Sequence, residues 1–193
     1  PRIAPVQIVI VPVMQQKEGV LEKAEELRQQ LQKAGFSVKL DDSDKSPGWK
    51  FAEAEMRGIP LRIEVGPKDI EKEQVVMVRR DNRKKVFVPM RELTERAGQL
   101  LEQEQEDMLA RAKDFLNSHI SDAHTYEEFK DAVANRPGFI RGMWCGDEAC
   151  EDRIKEDTTA TSRCMPFDED TIDDKCVCCG KPAHKLVYWG KAY

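Results

Sequence analysis

The sequence of 193 residues has little of several features that mark particular protein classes. It has only three histidines, and aromatic residues make up 7% of the chain. No run of 18 apolar residues occurs, so the sequence predicts no membrane-spanning helix. The opening "PRIAPVQIVIVPVMQQ" is apolar but short, contains three prolines and has no cleavage-site pattern, which argues against a signal peptide. Because the first residue is Pro rather than Met, we expect a fragment of a longer protein.

What the composition does supply is enough apolar material for a core under a heavily charged surface. Hydrophobic residues make up 40% of the chain and charged residues 35%, and the length suits one domain or two small ones. The six cysteines occur without an export signal, so we expect a reducing compartment, the cytoplasm. In such a compartment, closely spaced cysteines are more often metal ligands than disulfides.

The net charge of −5 conceals a difference between the two halves of the chain. Residues 1–100 carry 19 lysines and arginines against 16 acidic residues, whereas residues 101–193 carry 12 against 20. A polyanionic partner would therefore prefer the first half. The second half is a poor candidate for non-specific nucleic-acid binding.

The first part of the chain predicts an α/β fold with a mixed sheet of five strands and three helices. The apolar, β-branched run Val6–Val13 is typical of a strand buried on both faces. An amphipathic helix and a second strand at Ser37–Asp42 follow. The two strands and the helix between them predict a βαβ crossover, which is expected to be right-handed. After a second helix, residues 61–66 alternate as a strand does, and two apolar runs flank the basic tip "RRDNRKK" at 79–85. The predicted order is βαβαβββ and then a helix.

A long helical stripe begins near Arg91 and predicts a helix about 45 Å long at 1.5 Å per residue. The apolar positions of the stripe are Leu93, Ala97, Leu100, Leu101, Met108, Ala112, Phe115 and Ile120. Such a helix is longer than one small domain needs, so we expect it to join a domain of residues 1–105 to a small α+β domain of residues 106–193. In the second domain, Thr125 and Glu128 predict a capping box, and 168–174 predicts a solvated loop.

Four of the six cysteines form two close pairs. Four residues separate Cys145 from Cys150, and two residues separate Cys176 from Cys179. Two pairs of this kind, joined by a loop, are typical of tetrahedral Zn²⁺ ligands that converge in the fold. A site closed by four thiolates has no open position for water, so the predicted zinc is structural, and folding of the second domain should depend on it.

The cysteine pattern leaves alternatives open. Cys178 or His184 can replace a proposed ligand, and four buried free cysteines without a metal are a further alternative. Gly146 and Gly180 each follow a proposed ligand, where a knuckle turn needs a flexible backbone. Cys164 stands alone in "SRCMPF", and we expect it to be a small buried residue.

Several stretches together resemble the C-terminal half of the prolyl-tRNA synthetases, in particular the eukaryote-like and archaeal type of this class II family. They are "PRIAPVQIVIVPV", "SPGWKFAEAEMRGIPLRIEVGPKDIE", the four-cysteine layout and the ending "VYWGKAY". The resemblance covers essentially the whole chain. It implies a class II anticodon-binding domain at 1–105 and a C-terminal zinc-binding domain at 106–193.

The resemblance also implies what the chain does and lacks. The full enzyme activates proline with ATP, which requires Mg²⁺, and transfers prolyl to tRNA(Pro); it is a homodimer. The catalytic domain of the same chain precedes "PRIAP" in the family, so this chain alone should bind the anticodon and be inactive. The alternative is a free-standing zinc-containing adaptor that binds RNA or protein in trans.

By resemblance, five residues are candidates for contacts with the anticodon bases, and they combine both charge types. Proline anticodons carry two adjacent guanines, whose O6 and N7 atoms accept from a cation and whose N1–H and N2–H groups donate to a carboxylate. The candidates are Glu55, Arg62, Lys68, Lys84 and Lys85. Without the resemblance, these residues would be interpreted as ordinary solvated charges.

Three arginines of the basic stretch are candidates for RNA-backbone contacts: Arg79, Arg80 and Arg83. Trp49 and Phe51 are the nearest aromatic residues that could stack on bases, although either could instead belong to the core.

The final residues carry a separate expectation. A frayed terminus is the default for a chain end. The resemblance instead implies that the chain end packs towards the catalytic domain, with the Tyr193 carboxylate near the active site and with Tyr188 and Trp189 as buried anchors.

Overall fold

The computed structural model describes residues 2–167 and 171–191. The chain divides into two compact units, Pro1–Ala110 and Arg111–Tyr193. Within the described residues, no helix is both long enough and apolar enough to cross a bilayer.

The first unit is a mixed five-stranded sheet with helices packed on it, as the sequence predicts. The strand order is β2-β1-β3-β4-β5, in which β1 is parallel to β2 and β3 while β4 and β5 are antiparallel neighbours. The elements are β1 (Ile8–Pro12), α1 (Val20–Lys33), β2 (Val38–Leu40), α2 (Pro47–Met56), β3 (Leu61–Val65), α3 (Pro67–Glu71), β4 (Gln74–Arg79), β5 (Lys85–Pro89), a 3₁₀ turn (Met90–Glu92) and α4 (Leu93–Ser118). The short helix α3 was not part of the sequence prediction.

Alternation along β3 divides the first unit into an apolar face and a charged face. Leu61, Ile63 and Val65 join the main core, where they pack with α1 and the first turns of α4. Arg62 and Glu64 point to the opposite face, because successive side chains of a strand alternate. Helix α2 covers part of that opposite face through a smaller apolar cluster. The charged face is therefore built from the strand itself and is held rigidly.

The helix α4 differs from its sequence prediction in two respects. It ends at Ser118, and Ile120 begins a strand rather than closing the apolar stripe. The stripe is buried at its start, from Leu93 to Leu101, but Met108 and Phe115 are exposed. Helical periodicity alone does not show where a helix leaves the core that it packs against.

The second unit contains a four-stranded sheet of order β6-β7-β9-β8. Its strands and helices after α4 are β6 (Ile120–Asp122), α5 (Tyr126–Asn135), β7 (Phe139–Trp144), α6 (Glu148–Thr158), β8 (Ala160–Cys164) and β9 (Lys185–Lys191). Strand β6 is parallel to β7, and β9 is antiparallel to both β7 and β8. The predicted capping box of Thr125 and Glu128 is confirmed at the start of α5.

The core of the second unit combines aromatic side chains with cysteines. Trp189 is fully buried and makes an edge-to-face contact with Phe129, with ring centroids 5.9 Å apart. Cys150, Cys176 and Cys178 pack in the same cluster. The core of this unit therefore includes these three cysteines. Part of the loop predicted at 168–174, namely 168–170, lies outside the described residues.

Candidate functional site

An alternating row of charges crosses the open face of the first unit. Arg62 lies at its centre, with its Nη2 atom 3.0 Å from Glu64 Oε1 and its Nη1 atom 3.4 Å from Glu55 Oε1. Glu55 Oε2 in turn lies 2.8 Å from Arg83 Nη2, and Glu64 Oε2 lies 3.4 Å from Lys85 Nζ. The row, called the charge row below, is Arg83, Glu55, Arg62, Glu64 and Lys85.

Burial varies along the charge row: the side chains at its centre are buried, and those at its ends are exposed. The side chains of Arg62 and Glu64 are only 10% and 8% exposed, whereas those of Arg83 and Lys85 are 75% and 57% exposed. The Arg62 guanidinium also lies 4.1 Å from the centre of the Phe51 ring, a cation–π contact. The centre of the row is therefore fixed, and its ends are open to a ligand.

The remaining sequence-predicted base contacts are exposed and lie at two other points of the first unit. Lys68 is in α3, directly after β3, and Lys84 is in the basic tip at 79–85. The backbone of the tip turns at Arg83, which has a φ of 57°, and Lys84 N–H donates to Asn82 Oδ1 at 2.9 Å. The structure places both lysines on the surface without joining them to the charge row.

Arg79 has a different environment from its two neighbouring candidates. Its guanidinium donates to both carboxylate oxygens of Asp81, at 2.9 and 2.7 Å, and to Asp107 Oδ2 at 2.6 Å. Burial lowers the pKa of Arg79, but the hydrogen bonds that its guanidinium donates to Asp81 and Asp107 outweigh burial and raise that pKa. Only 6% of the side chain is exposed, so Arg79 holds the tip to α4, whereas Arg80 and Arg83 face solvent.

Two residues of this surface were missed by the sequence reasoning. Glu64 is the buried partner of Arg62, and Phe87 on β5 is 64% exposed. The register pairs Glu64 with Val76 and Val76 with Phe87, which puts Phe87 on the face of the charge row. Alternation along β5 could have found Phe87, because Lys85 and Phe87 share one face there.

Four cysteines of the second unit bring their sulfurs together. The Sγ atoms of Cys145, Cys150, Cys176 and Cys179 all lie within 4.8 Å of one another. The Cys145 sulfur is 3.8 Å from that of Cys150 and 3.9 Å from that of Cys179. A disulfide would require about 2.05 Å. Four thiolates about 2.3 Å from a tetrahedral Zn²⁺ lie about 3.8 Å from one another, so the donor set fits such a metal.

Local structure positions each cysteine pair. Cys145 follows β7, and Cys150 lies in the first turn of α6, which Asp147 caps. The other pair lies in a tight turn in which Gly180 N–H donates to the Cys176 carbonyl at 2.9 Å. Gly146 and Gly180 have φ values of 88° and 71°, a left-handed conformation that favours glycine. Both glycines therefore use the backbone freedom that the sequence predicts after Cys145 and Cys179.

The electrostatic environment of the sulfurs is mixed. Burial raises the pKa of Cys176, but backbone N–H groups of Cys179, Cys178 and Cys145 outweigh burial and hold that pKa below its usual value. Burial, followed by hydrogen bonds with Cys179 and Cys145, raises the pKa of Cys150 well above its usual range. A cation among the sulfurs would stabilise the thiolates that burial disfavours.

The other residues considered from the sequence lie outside this group. Cys178 is buried in the core, and His184 is exposed; neither belongs to the cluster of four sulfurs. The expectation of a buried Cys164 was wrong: it is exposed at the end of β8, because that strand lies at the edge of the sheet. Trp189 is buried and Tyr188 is half-buried, while Tyr193 lies outside the described residues.

Comparisons with known proteins match both units. Residues 7–100 match the family described as "Anticodon binding domain", and residues 126–193 match "Prolyl-tRNA synthetase, C-terminal". Similar proteins named "Proline--tRNA ligase" occur in Agathobacter rectalis at 62% identity, Lachnoclostridium phytofermentans at 63% and Clostridium botulinum at 59%. Each alignment covers 100% of this chain but 40% of the relative.

The chain thus spans less than half of the length of these curated relatives, and both family matches fall within it. The anticodon-binding match includes the charge row, and the C-terminal match includes all four clustered cysteines. The chain belongs to the prolyl-tRNA synthetase family and carries its anticodon-binding and C-terminal domains.

Proposed function

We propose that the chain is the tRNA-recognising and structural portion of a proline–tRNA ligase, and that its first unit reads the anticodon of tRNA(Pro). The observation that carries this proposal is the charge row, an alternating set of acids and bases fixed on one face of a domain that matches the anticodon-binding family. Anticodon bases are unstacked, so their edges are available to such a surface.

The charge row supplies the two kinds of partner that guanine needs. A Glu55 carboxylate can accept from guanine N1–H and N2–H, and it lies between Arg62 and Arg83. Arg62 is preorganised by Glu64 and Phe51, which leaves its orientation little freedom. For this geometry, a guanine must replace Arg83 at Glu55, and the exposure of the Arg83 side chain permits that exchange.

The exposed lysines would complete base recognition. We propose that Lys68 and one of Lys84 and Lys85 donate to guanine O6 or N7, because all three side chains are exposed and Lys85 belongs to the charge row. Phe87 adds an exposed aromatic ring on the same face, where a base can stack.

The RNA backbone would be held by Arg80 and Arg83, which lie in the basic tip and are exposed. We leave Arg79 out of these contacts, because its guanidinium is buried between Asp81 and Asp107. Its proposed role is to fix the tip on α4, so that the two exposed arginines keep their place.

For the second unit, we propose a structural Zn²⁺ bound by Cys145, Cys150, Cys176 and Cys179. The spacing of the sulfurs supports it, and Cys178 and His184 are not needed as ligands. When bound, the metal would link the β7–α6 junction to the turn at 176–179. With four protein ligands it would offer no open position, so it would have no catalytic role.

The activity of the whole protein is also a proposal. A catalytic domain on the same longer chain would activate proline with ATP and Mg²⁺ and transfer it to tRNA(Pro), in a homodimer in the cytoplasm. The names of the relatives and the 40% share of their length support this placement. We propose that the boundary between the two domains lies within α4. Residues 1–105 would form the domain that reads RNA, and residues 106–193 would form the zinc domain. No catalytic residue is proposed in this chain.

The test is binding of the chain to a short RNA hairpin that carries a proline anticodon. We expect measurable, salt-sensitive affinity that falls about tenfold or more when either of the two anticodon guanines is changed to adenine. A hairpin with the same stem and a scrambled loop is the control for phosphate contacts alone. Equal affinity for all of these hairpins would contradict anticodon reading.

A further inference from the structure

A buried acid without a hydrogen-bond partner lies on α4 of the first unit. Glu104 is 1% exposed, and neither of its carboxylate oxygens has a hydrogen-bond partner among the residues that the structure describes. Buried polar groups are nearly always hydrogen-bonded, so an orphaned carboxyl indicates an unmet interaction. The proposed anticodon contacts make no use of this residue.

Glu104 lies at a cavity that it shares with the basic tip. The cavity has a volume of about 400 Å³ and is lined mainly by apolar and uncharged residues. Arg80 is the one cation among its described lining residues, and its side chain is otherwise exposed to solvent. The Arg80 backbone is fixed at this point, because its N–H donates to the Pro60 carbonyl at 2.8 Å.

The charged neighbours of Glu104 come from the hairpin and from its own helix. Arg79 is already bound by Asp81 and by Asp107, which lies three residues after Glu104 on the same side of α4. The loop between α2 and β3 and residues 3–4 contribute no ionisable side chain to the cavity lining. Of the two nearby arginines, Arg80 is therefore the one whose guanidinium is free to move towards Glu104.

The charge state of Glu104 is balanced near neutral pH. Burial and the charge of Asp81 raise the pKa of Glu104 to about 7, against the opposing charges of Arg79 and Arg80. An ionised carboxylate in this cavity would attract a cation strongly, because the surroundings screen charge poorly. A neutral carboxyl would not.

We propose that Glu104 is a positioning residue for Arg80: its ionised form draws the Arg80 guanidinium into the cavity, and its neutral form leaves Arg80 free to bind an RNA phosphate. The inference rests on the proposed function, since Arg80 is one of the proposed phosphate contacts. By reciprocity, RNA binding to the tip then favours the neutral acid and is accompanied by proton uptake.

The test compares RNA affinity at about pH 6 and about pH 8.5 in the same salt, with the proline anticodon hairpin as the probe. We expect the unmodified chain to bind about three- to tenfold more weakly at the higher pH. Glu104→Gln mimics the neutral acid, so it should bind equally at both pH values and match the unmodified chain at the lower one. Glu106→Gln removes an exposed charge from the same helix and should keep the original pH dependence.

A second arm tests whether the effect passes through Arg80. In an Arg80→Gln background, Glu104→Gln should no longer change the affinity at about pH 8.5, since the side chain that it positions is absent. A Glu104→Gln effect that persists in this background would overturn the inference. So would a Glu104→Gln chain whose affinity keeps the pH dependence of the unmodified chain.

A third arm needs neither a variant nor RNA. Carboxyl ¹³C NMR of the unmodified chain should show Glu104 titrating near neutral pH, and a midpoint near the ordinary glutamate value of 4.5 would overturn the inference. The RNA arm separates the two proposals: binding that does not respond to pH overturns this inference alone. Absence of binding at both pH values overturns the proposed function and this inference with it.

Discussion

The two units of the chain have sheets of similar size, but their cores contain different kinds of side chain. In the first unit, aliphatic side chains from both the sheet and the helices form the main core, and the charges lie on the opposite face of β3. In the second unit, three cysteines pack among the aromatic residues of the core. The first unit can thus be stable without a ligand and present charge to RNA, whereas the second unit has polarisable, ionisable groups where an apolar core would have aliphatic ones.

The largest expected effect is the loss of the second unit's fold when the proposed Zn²⁺ is removed. Structural Zn²⁺ sites contribute on the order of 10 kcal/mol of apparent binding free energy, far more than a small core can replace. A chelator, or Cys176→Ser, should abolish the unfolding transition of residues 111–193 and leave that of the first unit. Calorimetry with elemental analysis measures both, starting from one zinc per chain.

Cys164→Ser is the matched control for that experiment, because Cys164 is exposed and lies outside the sulfur cluster. It should keep both transitions and the metal content. If the metal-free chain retains two cooperative unfolding transitions, the second unit does not depend on a metal for its fold, and this contrast between the units is wrong.

A smaller effect is expected when the buried centre of the charge row is removed. Arg62→Met leaves the buried Glu64 with Lys85, at 3.4 Å, as its remaining ion-pair partner among the described residues, and a buried charge deprived of its close partner costs about 3 kcal/mol. The free energy of unfolding of the first unit in denaturant should fall by that amount, and that of the second unit should not change. A loss below about 0.5 kcal/mol would show that Arg62 is an ordinary surface charge.

The raised pKa of Glu104 predicts that this residue makes the unfolding free energy of the first unit, and not that of the second, depend on pH. Its folded pKa is raised, so its stabilising contribution is fully present below its unfolded pKa of 4.5 and is lost as pH rises through about 7. Relative to Glu104→Gln, the unmodified chain should lose about 2 kcal/mol of unfolding free energy between about pH 5.5 and pH 8.5. Parallel stability curves for the two chains would refute the assignment, and Glu106→Gln provides the control curve.

The smallest expected effect is at the exposed end of the charge row. Arg83→Ala removes an exposed side chain, so the unfolding free energy should change by less than about 0.5 kcal/mol. RNA affinity should fall about three- to tenfold, and the slope of log affinity against log salt should decrease by about one phosphate contact. An unchanged slope would remove Arg83 from the phosphate contacts.

The sequence was most informative where local rules decide the structure. The mixed sheet, the hairpin flanking the basic tip and the capping box at Thr125 all depend on side-chain alternation or short-range hydrogen bonds. The spacing of the cysteine pairs likewise reflects short turns, and the structure brings those four sulfurs together.

The sequence was least informative where distant residues decide a side chain's environment. Nothing near Arg79 in the sequence predicts that Asp107, 28 residues later, is a partner of its buried guanidinium. Glu104 occupies a position that its helix buries, yet an acid among glutamates and glutamines gives no sign of burial. The error at Cys164 has the same origin, since strand order determines which strand lies at an edge.

The most direct test of the division of labour between the units is anticodon discrimination by the metal-free chain. The measurement is the ratio of affinities for hairpins with two anticodon guanines and with two adenines, before and after chelation. We expect a ratio above about tenfold that is unchanged by chelation, because the charge row belongs to the first unit. A ratio that falls to one while the first unit remains folded would contradict the account.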